Sequence, residues 1–130
     1  MLGQASIFLV EDEVLIRMML ADMVEELGHR VVAEACNIRD AQVLAETMFF
    51  DIAILDINIA GSSIAPVATI IARRGLPFIF VSGYGLASRP EEFIERPALQ
   101  KPVSISILGE TINAIIATSS RADDSSPNIQ

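Results

Sequence analysis

Asp51-Ile52-Ala53-Ile54-Leu55-Asp56 sets four apolar residues between two carboxylates. The run has polar flanks and no alternation inside, the pattern of a strand covered on both faces in a parallel sheet. Three other short runs end on a residue with chemistry: Ser6-Ile7-Phe8-Leu9-Val10 on Glu11-Asp12, Phe78-Ile79-Phe80-Val81 on Ser82, and Ala98-Leu99-Gln100 on Lys101, the only lysine. Strands are expected over 5–10, 30–35, 51–56, 77–82 and 97–100. In an open parallel sheet, residues just past the carboxyl ends of the strands meet in one crevice.

The segments between these runs carry helical periodicity. Ile16, Leu20, Met23, Val24 and Leu27 share one face of a helix over 14–27 that stops at Gly28. Val14, Met18, Ala21 and Glu25 fall on the opposite face. Asn37, with Asp40 three residues on, caps a second helix to about 48. Gly61-Ser62-Ser63 turns into a third that tolerates Pro66 in its first turn and ends at Arg73-Arg74 before Gly75. Ser62 and Ser63 read as caps. Gly83-Tyr84-Gly85 is a loop, and Ser88-Arg89-Pro90-Glu91 resembles a capping box for a short, mobile helix that must end before Pro97. A last helix over 105–117 turns Ile105, Leu108, Ile112, Ile115 and Ile116 inward. Residues 119–130 are polar and read as a disordered tail.

The chain has 130 residues, 52% of them hydrophobic, which suffices for one domain over 1–118. Its mean hydropathy is +0.48. No apolar stretch reaches the length of a membrane span and no secretory signal is evident, so a soluble, cytoplasmic protein is expected. A net charge of −8 argues against nucleic acid, whose phosphates need clustered cations. The adjacent pair Arg73-Arg74 is explained by the helix dipole. Cys36 has no partner at disulfide or metal spacing and reads as a small core residue, and His29 as a capping or surface residue.

With Glu11-Asp12, Asp56, Ser82 and Lys101-Pro102 in order at successive strand ends, the chain resembles the receiver domain of two-component response regulators over residues 5–118. The resemblance implies a flavodoxin-like, doubly wound α/β fold with a five-stranded parallel sheet in the order 2-1-3-4-5 and five helices. It also marks Pro102 as the candidate for a cis peptide bond. Phe80-Val81-Ser82-Gly83-Tyr84 is similar to the Phe-Ala-Thr-Gly-Tyr run of a receiver subgroup that is often free-standing. Serine in place of threonine keeps the hydroxyl and loses a methyl. Most receivers carry an aromatic residue three positions before the lysine, where this chain has Ala98.

Three carboxylates in one crevice call for a cation, because two unit charges about 4 Å apart repel by about 4 kcal/mol at an effective dielectric of about 20. Oxygen donors suit Mg²⁺. The family pattern gives Asp12, Asp56 and the Asn58 carbonyl as ligands, with Glu11 acting through water. Asp56 is then the phosphoacceptor, supplied by a histidine kinase or histidine phosphotransferase, with Ser82 and Lys101 binding the phosphoryl group. Tyr84 either reports the phosphorylated state or packs on the sheet edge. Glu13 is sufficiently explained as a helix-start carboxylate. The reading is a single-domain response regulator, not a turnover enzyme, acting on a downstream protein partner or as a phosphate sink. Its alternatives are a haloacid-dehalogenase-like aspartyl phosphatase, disfavoured because position 58 is Asn where a second Asp is required, and a degenerate receiver serving as a constitutive interaction module. A flavodoxin shares the fold, but Glu11-Asp12-Glu13 would repel the flavin phosphate.

Overall fold

The computed structural model describes residues 3–84 and 88–125, with side-chain surroundings through Ser119. In chain order the elements are β1 (Ser6–Val10), α1 (Val14–Glu26), β2 (Arg30–Ala35), α2 (Ile38–Thr47), β3 (Ile52–Asp56), β4 (Asn58–Ile59), β5 (Ser62–Ser63), α3 (Ala65–Arg73), β6 (Phe78–Ser82), β7 (Ala98–Gln100) and α4 (Ile105–Ser125). One parallel sheet runs β2-β1-β3-β6-β7, which is 2-1-3-4-5 when its five strands are numbered in sequence. The two-residue strands β4 and β5 form a separate antiparallel hairpin that periodicity could not reveal.

Successive strand residues point to opposite faces, so strands apolar throughout build two cores. Phe8, Ala53, Leu55, Phe78 and Phe80 meet Ala41 and Ala45 of α2 and Val67, Ala68 and Ile71 of α3. Ile7, Leu9, Ile54, Ile79 and Val81 meet Leu20 and Val24 of α1 and Leu108 and Ile112 of α4. Each fully buried aliphatic or aromatic side chain contributes about 1.5–3 kcal/mol over exposure. Asn37 caps α2 as expected, accepting from the Asp40 amide at 2.8 Å and donating to Asp40 Oδ2 at 3.0 Å. Gly28 adopts φ 91° after α1, a region costly for any residue with a Cβ. Arg74 does more than complement a dipole: its guanidinium donates to the Ala45 carbonyl and lies over the Phe50 ring, tying α3 to α2.

Several expectations are corrected. The described residues contain four α-helices, not five, because the segment before Pro97 forms only a 3₁₀ turn, Glu91–Phe93. No side chain caps that turn, and Ser88 bonds to Ser82 instead. Phe93 fastens the turn to the sheet, its ring edge-on to Phe78 at 5.3 Å, with Arg96 4.3 Å from the Phe78 centroid. α4 continues past 117 to Ser125, since no Gly or Pro intervenes before Pro127; residues 126–130 lie outside the described residues, as does Gly85. Cys36, just beyond β2, is exposed. His29 is buried, where Nδ1 accepts the Ala5 amide at 3.0 Å. Ala21 packs inward against the α1–α4 core instead of facing outward.

Candidate functional site

Sheet register brings the chemistry together. Val10 lies beside Leu55, Asp56 beside Val81, and Ser82 beside Gln100, so Glu11-Asp12, Asp56, Ser82 and Lys101 leave the sheet as neighbours. Backbone bonds brace the exits: Glu11 N donates to Ala35 O, Ile57 N to Val81 O, and Lys101 N to Ser82 O. The Lys101–Pro102 peptide is cis, the geometry expected at Pro102.

Carboxylate oxygens of Glu11, Asp12 and Asp56 lie within 4.8 Å of one another. Lys101 Nζ stands 2.9 Å from Glu11 Oε1 and 3.1 Å from Asp56 Oδ2, offsetting part of their repulsion. Glu11 is fully buried. Its Oε2 accepts the Glu13 amide at 3.0 Å, whereas Oε1 has charge attraction to Lys101 but no well-directed hydrogen bond. Burial pushes the Glu11 carboxyl up to about 7; the Glu13 amide and Lys101 oppose the rise and the charge on Asp56 adds to it. For Lys101, burial acts to lower the pKa, but the hydrogen bonds and charges of Glu11 and Asp56 outweigh it and hold the group above its ordinary value. A buried, under-satisfied oxygen within an all-oxygen acidic cluster fits a hard divalent cation.

The hairpin β4–β5 folds over this cluster. Ala60, at φ 52°, donates its amide to Asp12 Oδ2 at 3.0 Å, and Asn58 N donates to Asp56 Oδ1 at 3.3 Å. The Ala60 amide is a site group that the sequence reading missed; the only available signal was Asn58 followed by Gly61, whose amide bonds Asn58 Oδ1. Ser63, expected as a cap, accepts from the Ala65 amide at the start of α3.

Ser82 is buried, and its hydroxyl accepts the Tyr84 amide at 3.0 Å and pairs with Ser88 Oγ at 2.9 Å. Tyr84 is 85% exposed, which rules out packing on the sheet edge. Two clefts of about 320 and 330 Å³ share Asp56 and Asn58; Ser63, Ser82, Tyr84 and Ser88 line the first, Asp12, Gly83, Tyr84 and Lys101 the second. A cavity of about 670 Å³ lies at the amino-terminal edge of the sheet among Leu76, Pro77, Pro97 and Ile115, far from this chemistry. Val14 and Met18 face solvent as expected, joined by Leu15 and Met19. No helix among the described residues is long and apolar enough to cross a membrane.

The sequence profile described as "Response regulator receiver domain" matches residues 7–113. The transcriptional regulatory protein PdtaR of Mycobacterium tuberculosis is 31% identical over 115 residues, covering 85% of this chain and 56% of its own length. The chain therefore spans little more than half of that curated relative. The solution structure of SdrG from Sphingomonas melonis Fr1 is 36% identical, covers 88% of this chain and 98% of its own, and superposes with a TM-score of 0.78. The receiver domain of PhyR from Erythrobacter litoralis is 30% identical, covering 88% of this chain and 92% of its own, with a TM-score of 0.75. Five parallel strands, acidic ends on β1 and β3 and a lysine after β7 thus meet a profile match over most of the length, and the chain belongs to the response regulator receiver domain family.

Proposed function

We propose that this chain is a response regulator receiver domain whose Asp56 accepts a phosphoryl group from a histidine kinase or histidine phosphotransferase. The observation that carries the reading is the meeting of three carboxylates with Lys101 at Asp56. An Asp56 carboxylate oxygen attacks phosphorus, the P–N bond to the donor imidazole breaks, and the histidine leaves with its electron pair. Lys101, already 3.1 Å from Asp56 Oδ2, stabilises charge on the transferring oxygens, and the Ser82 hydroxyl donates to one of them. Asp12, Asp56 and the Asn58 carbonyl, with Glu11 acting through water, would hold Mg²⁺, which when bound would supply positive charge against the carboxylates and the phosphoryl group. Tyr84, at the mouth of both clefts, reports the phosphorylated state.

The half-exposed Val14 and Met18 on α1 form a docking surface for a helical kinase or phosphotransferase. Output is exerted in the cytoplasm, by binding a downstream protein or by draining phosphoryl groups. The test is intact mass after acetyl phosphate with Mg²⁺. One added phosphoryl group that is absent from Asp56→Asn is expected. Continuing hydrolysis of a phosphate monoester would favour a phosphatase, and no added mass a degenerate interaction module.

A further inference from the structure

We propose that Ser88 is a positioning residue that restrains the Ser82 hydroxyl and couples it to the Glu91–Phe93 turn. The inference rests on the receiver reading and concerns a contact that this reading leaves unused. Ser82 Oγ has one proton and two lone pairs. The Tyr84 amide occupies one lone pair, and Ser88 Oγ stands 2.9 Å away on the same cleft as Asp56. Either hydroxyl can donate in that pair: with Ser82 donating, Ser88 competes directly with a phosphoryl oxygen for the Ser82 proton, and with Ser88 donating, it takes the second lone pair and holds Ser82 Oγ toward Ser88.

The competition is unequal. A hydrogen bond to an ionised oxygen is roughly twice as strong as one between neutral hydroxyls, so a phosphoryl group on Asp56 draws Ser82 away from Ser88. Ser88 is close in sequence to the turn that Phe93 fastens to Phe78 and Phe80. Among the described residues the turn buries no side chain fully, so it yields more readily than a packed helix. Breaking the Ser82–Ser88 pair thus transmits occupancy of the site to residues 91–93. By reciprocity the same pair opposes occupancy.

The experiment compares wild type, Ser88→Ala and Ser88→Thr, each with Mg²⁺ and beryllofluoride, a mimic of the aspartyl phosphate, read by amide chemical shifts. Ser88→Ala should bind the mimic roughly two- to ten-fold more tightly, the factor matching the net worth of one neutral hydrogen bond, and should lose the shift response at Glu91–Phe93. Ser88→Thr, which keeps the hydroxyl, should behave as wild type. Well-dispersed spectra of the unliganded variants verify folding, a state that stability alone would leave unresolved. Unchanged or weaker binding by Ser88→Ala, or a preserved response at 91–93, overturns the role given to Ser88. If wild type itself binds no mimic at Asp56, the receiver reading has failed instead.

Discussion

The crevice has two unlike halves. Its carboxylates leave β1 and β3, strands covered on both faces, and the crossovers beside them bury Leu20 and Val24 on α1, Ala41 and Ala45 on α2, and Val67, Ala68 and Ile71 on α3. Its hydroxyls and Tyr84 come from the end of β6 and the crossover to β7, where the described residues form a 3₁₀ turn and no α-helix, and Phe93 packs against the core. A cation and a phosphoryl group need fixed oxygens, whereas a signal needs a part that moves at low cost. The division assigns anchoring to one half and response to the other.

Packing is where the halves should differ most. Ile71→Ala, at a fully buried position, should cost about 2–5 kcal/mol in urea denaturation. Phe93→Ala should cost about 2 kcal/mol, below the range for a fully buried phenylalanine because the ring is only partly covered. Equal losses, or collapse of the Asp56 environment in Phe93→Ala, would erase the distinction.

Metal binding sharpens it next. Mg²⁺ at 100 times its dissociation constant should stabilise wild type by about 2.7 kcal/mol and Asp56→Asn by less. Without metal, Asp56→Asn should melt higher than wild type, since it removes one of three repelling carboxylates; the gain is trimmed because Lys101 loses a partner at 3.1 Å. Wild-type melting that ignores Mg²⁺ would end the metal assignment.

The rigid half was the legible half. Strands apolar on both faces announce themselves within five residues, and the resemblance of four strand-end motifs fixed Glu11, Asp12, Asp56, Ser82 and Lys101 as neighbours, as the register bears out. The fourth crossover was misread because Ser88 and Glu91 have capping-box spacing, while the seven residues from Pro90 to Arg96 must also deliver an extended chain to Pro97. Local pattern cannot reveal that Ser88 turns to Ser82. His29 and Cys36 were misplaced for a related reason: their burial depends on β1 and the end of β2, which are remote in sequence or set by chain direction.

Acid provides a smaller test. His29 is held below its ordinary pKa by burial, so it stays neutral in the fold while the unfolded chain takes up a proton near pH 6.5. Its contribution is complete above that pH and is lost as pH falls below it. Glu11 acts with the opposite sign: with its folded pKa raised to about 7, it is protonated more readily in the fold, and stability grows as pH falls from 7 toward 4.5. His29→Gln, which retains an acceptor for the Ala5 amide, should therefore lose less stability than wild type between pH 7.5 and 5.5, by at most about 1.4 kcal/mol per pH unit. Parallel curves would mean that His29 does not titrate on unfolding.

The smallest signal tests the responding half most directly. Ala98 stands where most receivers place an aromatic lever, and it pairs with Phe80 at the edge of the core. Tyr84 is the only tyrosine in a chain without tryptophan, and its amide donates to the Ser82 hydroxyl. Movement of Ser82 toward a phosphoryl group must break or drag that bond. Because the phenol is already exposed, its emission should change modestly on adding Mg²⁺ and beryllofluoride, while amide shifts spread across 83–94. If the mimic perturbs Asp56 and Lys101 but leaves Tyr84 and that segment unmoved, the soft half of the crevice is not the half that responds, and the signal leaves the molecule elsewhere.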